Sequence, residues 1–371
     1  MKTPVVVGLA SILILARMRA LGCVFRRVVL ARASKDPSGY GQNHSVVEGL
    51  LDRAKADGWT RAATLEGDGA GRSNQKAVAE AVGEYGAHLV HITNQHDAHM
   101  VPTKGSSVPF VVSVHDLYDH RPRAIDAGDV PVPLGDRFPP SAKARLLASC
   151  REGMARADML LCSSERTMDE ARDMFPGTRC VLVRDSVDDA FWDPHRNPRP
   201  RSMLGESGDE GKCLLVSVGE RDPRWRAQFV SEVLALVPEE VRDDLVLFRI
   251  GAGRIDWEQV AAAFQHAEAV LYPGVSVGFR SPPLEAMASG CPVLASDLPM
   301  HDEVLPPRCL LPATDSDYWV SAIVEIHAEW ARAGGVPRHV DDELLSLTKG
   351  SFGRSAHGDA LAKAYGMACE S

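Results

Sequence analysis

The chain reads as an α/β protein made of two doubly wound halves, and three observations predict this. Short apolar runs alternate with helix-spaced segments along nearly all 371 residues, the pattern of parallel strands covered by helices on both faces. At 193–212 ("DPHRNPRPRSMLGESGDEGK") the composition turns to proline, glycine and charge without periodicity, as linkers do. The alternation then resumes, so two halves are expected, with a cleft between them as the natural ligand site.

Residues 5–16 form an apolar run closed by Arg17 and Arg19. It is shorter than the roughly 20 residues that cross a bilayer, and "ARMRALG" lacks the small-residue cleavage site of a secretory signal. Residues 1–25 are therefore set apart as an extra N-terminal segment that packs as an added element, unless translation starts at Met18; contact with a membrane surface is left open. The first half spans 26–192. Its strands are "RRVVLAR" (26–32), "AHLVHIT" (87–93), "PFVVSVHD" (109–116), "DMLLCSS" (158–164) and "RCVLVRD" (179–185); its helices include 46–58, 141–157 and 165–175. The second half spans 213–345. Strand "CLLVSVG" (213–219), helix 227–237, strand "DLVLFRIG" (244–251), helix 257–267 and strand "AVLYPG" (269–274) follow in turn. A last helix occupies 346–371. Residues 121–140 follow no pattern and are expected to be a long surface loop or a lid.

The stretch "YPGVSVGFRSPPLEAMASGCPVLASDLP" (272–299) carries the most chemistry. Pro282 or Pro283 suits the first helical position, where a missing N–H costs nothing, and Gly290 suits the left-handed position that ends a helix. The loop before them leads into a helix start, whose free N–H groups favour anions. Gly278 lets a ligand approach the backbone. Glu285, in the first turn, can accept hydrogen bonds from sugar hydroxyls. A phosphate-binding loop beside a hydroxyl-binding carboxylate points to a nucleotide or nucleotide-sugar site; a helix stabilised by its own first-turn acid is the plainer account of Glu285.

The remaining features mostly exclude. Composition is that of a soluble globular protein, 45% hydrophobic and 25% charged, and the net charge of −9 argues against a nucleic-acid partner. The eight cysteines form no C-x-x-C pair and several sit in apolar runs, so they are expected to be reduced core residues of a cytoplasmic protein. His91, His96 and His99 straddle a strand end and a loop and fit no helical zinc spacing. "DSD" (315–317) precedes "YWVSAIVEI" and is expected to cap a helix. No metal is expected.

Four segments together resemble glycosyltransferase family 4: "VPFVVSVHDLYDHRP" (108–122), "ADMLLCSSERTMDEAR" (157–172), "DSVDDAFWDP" (185–194) and "GFRSPPLEAMASGCPVLASDLPMHDEVL" (278–305). The tail "SFGRSAHGDALAKAYGMA" (351–368) resembles the family's terminal helix, which crosses back to the first domain. The resemblance covers roughly 26–371. It implies a GT-B fold, two Rossmann-like domains facing a cleft, with a retaining reaction. It implies that His115 contacts the donor sugar, that Glu285 grips the nucleotide ribose as the second carboxylate of an E-x7-E motif, and that Gly39, Tyr40 and Gly41 form a loop near donor and acceptor.

Three departures accompany the resemblance. The first carboxylate of the motif is replaced by Val277. The two cations that hold the diphosphate align with Glu220 and Trp225; Arg221 and Arg226 keep the spacing one position on, and Arg280 adds charge from the loop Gly278, Phe279, Arg280, Ser281. A helix and a strand that usually follow "RIGAG" are missing. The expected activity is metal-free transfer of a sugar from a nucleotide-diphosphate sugar to the hydroxyl of a small-molecule or glycan acceptor. The alternative is a degenerate GT-B protein that binds a nucleotide, sugar or protein partner without turnover. Another GT-B enzyme, such as a phosphorylase or sugar epimerase, is a more distant reading.

Overall fold

The computed structural model describes residues 26–33, 47, 51, 58–67, 72–103, 105–127, 131–207, 211–219, 223–251, 256–275, 282–336 and 338–370. Along the chain come β1 (Arg26–Ala33), β2 (Trp59–Gly67), α1 (Arg72–Tyr85), β3 (Leu89–Ile92), a 3₁₀ segment (Gln95–Met100), β4 (Phe110–Val114), and the short β5 (Arg123–Ile125) and β6 (Val132–Leu134). Then follow α2 (Ser141–Arg156), β7 (Met159–Cys162), α3 (Glu165–Met174), β8 (Arg179–Leu182), α4 (Asp189–Trp192), β9 (Cys213–Val218), α5 (Ala227–Leu236), α6 (Glu239–Arg242), β10 (Leu245–Ile250), α7 (Trp257–His266), β11 (Ala269–Tyr272), α8 (Pro282–Ala288), β12 (Val293–Ser296), β13 (Leu310–Leu311), α9 (Ser316–Arg332), α10 (Asp342–Phe352) and α11 (Arg354–Cys369).

The chain divides into two compact units. The first contains a six-stranded sheet in the order β2-β1-β3-β4-β7-β8, parallel throughout. Successive residues of a strand point to opposite faces, and here both faces are covered. Val28, Leu30, Leu89, Val111 and Leu161 pack with Leu361, Ala364 and Tyr365 of α11 on one side. Val29, Ala31, Val90, Val112 and Leu160 pack with residues of α1, α2 and the 3₁₀ segment on the other. Such burial explains why these strands read as continuous apolar runs rather than as alternation. The Tyr365 ring meets Trp59 edge-on at 5.1 Å, so the end of the chain closes the first unit's core.

The second unit holds a five-stranded parallel sheet, β10-β9-β11-β12-β13. Leu214, Val216, Val270 and Val293 face α7 and α8, while Leu215 and Leu271 face α5 and α9. β10 leads to α7 and so to β11 with no further described strand between them. Asp315 caps α9 by accepting from the Asp317 N–H, which is the role expected of "DSD".

The unit boundaries differ from the composition-based ones. The first unit breaks off at Ser186 and resumes at Ser355, and 187–354 belong to the second. Val187 and Trp192 lie in the second unit's core, and the Val187 N–H donates to the Phe352 carbonyl at 2.9 Å. The proline-rich 193–212 stretch is tied down: Asp193 is buried and paired with Lys349 at 2.9 Å, and the buried Arg199 guanidinium binds Glu258 and the carbonyls of Phe191 and Asn197. Its proline, glycine and charge, without periodicity, gave it the look of a linker.

Residues 122–136 also group with the second unit. They form an antiparallel hairpin in which Arg123 faces Leu134 and Ile125 faces Val132, with Leu134 fully buried. Strands of three residues, one containing Pro133, fall below what periodicity can detect.

Five of the seven described cysteines are buried, and all seven are free thiols. Cys369 is the exception to the core reading, being exposed near the chain end. Burial pushes the Cys150 and Cys213 thiols up to about 12, so they pack as small apolar groups. Cys23 lies outside the described residues.

Candidate functional site

In the first unit the polar residues of interest gather at the carboxyl ends of the strands, where ligands of open α/β sheets bind. His115 directly follows β4, Thr93 follows β3, and Asp185 stands three residues past β8. His115 is 2% exposed. Its Nδ1 lies 2.9 Å from Asp185 Oδ2 and its Nε2 lies 3.1 Å from the Thr93 carbonyl. A carboxylate and a carbonyl can only accept, so both ring nitrogens donate and the ring carries both protons. Burial by itself works against that charge, but the Asp185 carboxylate outweighs it and the imidazolium is held above its ordinary range. The backbone is fixed too: the His115 N–H donates to Gln95 Oε1, and Ser163 Oγ donates to the His115 carbonyl.

The three histidines of the 91–99 stretch serve different partners. His91 is buried between the Tyr365 hydroxyl at 2.7 Å and Ser113 Oγ at 2.8 Å. His96 stacks on His120, and His99 Nδ1 lies 3.8 Å from Cys150 Sγ. Among the described residues no group of three or more His, Cys, Asp or Glu is placed to hold a metal ion, and no helix is long and apolar enough to cross a membrane.

In the second unit, α8 starts with the two prolines and places Glu285, half-buried, in its first turn. Gly290 ends the segment at φ +60°, and a Cβ there would come within 2.3 Å of Val340 Cγ1; glycine is needed both for the left-handed turn and for the close approach. The loop ends beside α8 are joined, since the Val275 N–H donates to the Arg224 carbonyl at 2.9 Å.

Trp225, at the position aligned with a family cation, packs over the end of β9. A Cβ on Gly219 (φ +83°) would lie 2.2 Å from Trp225 Cγ, and the ring meets Tyr272 edge-on at 5.8 Å. Arg226 turns the other way. Its Nη1 donates to the carbonyls of Ala313 at 2.8 Å and Pro273 at 3.2 Å and to Ser296 Oγ at 3.4 Å, and its guanidinium lies 4.2 Å from the centre of the Phe229 ring. It thereby ties the end of β12 to the segments that follow β11 and β13. Its backbone is left-handed at φ 53°, which costs a residue with a Cβ about 1–2 kcal/mol. Arg226→Ala is expected to destabilise the protein more than Arg226→Gly by about 1 kcal/mol, since both lose the hydrogen bonds and only glycine relieves the backbone; urea unfolding of the two variants measures the difference.

His115, Arg226 and Glu285 are thus placed by the structure. Gly39, Tyr40, Gly41, Arg221, Gly278, Phe279, Arg280 and Ser281, and the positions Glu220 and Val277, lie outside the described residues. Asp185 and Thr93 escaped sequence reading because their relation to His115 is made only by strand order across the sheet, and His357 because it reaches the same place only through the packing of α11 on that sheet.

A sequence model of the family described as "Glycosyl transferases group 1" matches residues 206–329. A curated relative, the O-antigen chain mannosyltransferase RfbU of Salmonella typhimurium, is 38% identical over 138 residues. That match covers 37% of this chain and 36% of the relative, about a third of its length. Among solved structures, a sucrose-phosphate synthase from Thermosynechococcus elongatus is similar with TM-score 0.66 at 15% identity, over 92% of this chain and 98% of that one. Anabaena HepE in complex with UDP-glucose is similar with TM-score 0.63 at 12% identity, over 92% and 99%. At these identities the structural likeness speaks for the fold, two Rossmann-like α/β units of GT-B type, and the sequence match speaks for the second unit. The chain has a GT-B-type fold of two Rossmann-like units, and its residues 206–329 are similar to the family described as glycosyl transferases group 1.

Proposed function

We infer that the protein transfers a sugar, with retention, from a nucleotide-diphosphate donor to an acceptor hydroxyl without a metal ion. The observation that carries this reading is α8: a proline-opened helix start with Glu285 in its first turn, inside the family-matched segment. RfbU is named a mannosyltransferase and HepE was solved with UDP-glucose, which supports a nucleotide sugar as the donor class. In this reading Glu285 accepts from the ribose hydroxyls. Arg221, Arg280 and the amides of Gly278, Phe279 and Ser281 stabilise the departing diphosphate, the work that fixed donors do best. Arg226 holds the strand ends beneath them. Gly39, Tyr40 and Gly41 line the donor and acceptor loop. His115, buried with both ring nitrogens committed to Asp185 and Thr93, acts on the donor through its charge and by fixing the end of β4 rather than by a direct hydrogen bond, and no protein base is required if the leaving phosphate takes the acceptor proton.

The test is transfer and hydrolysis with a panel of nucleotide sugars. Glu285→Gln is expected to lower kcat/KM by roughly tenfold to a hundredfold, the weight of one hydrogen bond to a charged acceptor, about 1.5–3 kcal/mol. Unchanged turnover would remove Glu285 from the site. Val277→Glu, which restores the missing carboxylate, is expected to raise transfer. A second reading, binding without turnover, is favoured by Trp225, whose ring occupies the end of β9 where the resemblance calls for a cation. Nucleotide-sugar binding by calorimetry with no product from either protein would select it.

A further inference from the structure

Beside the His115–Asp185 pair lies a cavity of about 10 Å³, lined by polar groups of the first unit and by Val47, Val183 and Leu361. Most of its polar lining is already satisfied. His91 is held by Tyr365 and Ser113, and His115 by Asp185 and Thr93. Two buried atoms of the lining have no hydrogen-bond partner among the described residues: Ser186 Oγ and His357 Nε2. The state of His357 follows from its other nitrogen. Nδ1 lies 2.6 Å from the Arg184 carbonyl, which can only accept, so Nδ1 carries the proton. The residue is 6% exposed, and burial draws the ring below its ordinary range, keeping it neutral. Nε2 therefore presents a lone pair to the cavity, and the Ser186 hydroxyl presents a rotatable donor.

We propose that this cavity is a binding site for one uncharged hydroxyl, whose O–H donates to His357 Nε2 and whose oxygen accepts from the Ser186 hydroxyl. Size sets the first limit: a void of about 10–15 Å³ holds a single oxygen and nothing larger, which excludes a phosphate or a sugar ring. Charge sets the second. The neighbouring imidazolium and carboxylate cancel, and the imidazolium side repels a cation. Leaving two buried polar groups unpaired is costly, so an occupant with one donor and one acceptor is what the pair requires. The hydroxyl comes either from a resident water or from a sugar hydroxyl of the substrate. The second source rests on the proposed sugar transfer, and it suits the position of Asp185 and Ser186 past the carboxyl end of β8.

The experiment is nitrogen-15 NMR of the full-length protein with labelled histidine, the His357 signals being assigned by their loss in His357→Phe. At pH 7.5 we expect His357 protonated at Nδ1 only, with Nε2 showing the shift of a hydrogen-bonded acceptor, altered in Ser186→Ala. In the free protein a water cross-peak to the ring is expected. On saturation with UDP-glucose, its persistence identifies a resident water. Its disappearance, with an approximately tenfold weaker UDP-glucose affinity for Ser186→Ala, identifies a substrate hydroxyl. A water cross-peak in a protein with no transferase activity upholds the site while the functional reading fails. A ring protonated at both nitrogens, or a free Nε2 without a water cross-peak, overturns the proposal; both are read from the wild-type protein, so a misfolded variant does not affect them.

Discussion

Asp185→Ala lowers the free energy of unfolding by about 3–5 kcal/mol, the cost of removing one partner of a buried ion pair. The reason is geometric. His115 is 2% exposed and faces acceptors at both nitrogens, so its second proton is stable only while Asp185 is there. Asp185→Asn is expected to cost much less. The asparagine amide can donate to Nδ1 of a neutral ring while Nε2–H stays on the Thr93 carbonyl, so no polar group is stranded. The two variants also separate charge from shape through pH. The folded-state pKa of His115 is raised: burial opposes the charge, the Asp185 carboxylate outweighs burial, and Asp116 adds to it. A group with a raised folded pKa contributes stability that is complete below the ordinary value, about 6.5, and is lost as pH rises through the folded value. His357, the other titrating ring close to the pair, is drawn in the opposite direction and neutral. The stability gap between wild type and Asp185→Asn is therefore expected to be widest in mildly acidic solution and to close as the solution becomes alkaline, as read from urea unfolding across pH. A gap independent of pH would mean that His115 is neutral in the folded protein.

The second large effect is expected at Gly153, on the buried side of α2. A Cβ there would sit 1.8 Å from the Ala98 carbonyl oxygen, 2.5 Å from its carbon and 3.1 Å from the His99 nitrogen. All three are backbone atoms of the 3₁₀ segment, so no side chain can swing aside. Inserting one methyl group into a packed interior costs about 1–3 kcal/mol, and Gly153→Ala is expected to reach or exceed the top of that range, because helix and 3₁₀ segment must separate. Gly177→Ala is the control: nothing lies within 4 Å of its Cβ position, and its midpoint is expected to stay near that of the wild type. Equal stability of the two variants would show that α2 does not depend on this contact. Separation here would also shift Cys150, whose thiol donates to the His96 carbonyl at 3.0 Å.

How much was legible depended on the range of the interaction. Strands β1, β3, β4, β7, β9, β11 and β12 are buried apolar runs, and burial on both faces is a property of consecutive residues. α8 could be bounded from Pro282 and Gly290 because proline and glycine act on their own backbone angles. β2, with Arg61 and Glu66 among its residues, lacks that signature; it is an edge strand, next to β1 alone. The hairpin 123–134 was invisible for another reason. Of its two three-residue strands, β6 packs on residues 223–225, about ninety positions further along the chain.

The candidate site divides in the same way. Sequence by itself determined the two-unit α/β plan and the bounds of the short helix carrying Glu285, because each is written in adjacent residues with a local physical consequence; His115 was singled out only by the family resemblance. Tertiary structure alone decided that His115 is paired with Asp185, that Arg226 is a tie between strand ends, that Trp225 covers Gly219, and that Ser186 and His357 share a cavity. Each of these depends on atoms brought together from distant segments, such as Asp185 lying 70 residues beyond His115, and electrostatics and close packing act through distance in space rather than along the chain.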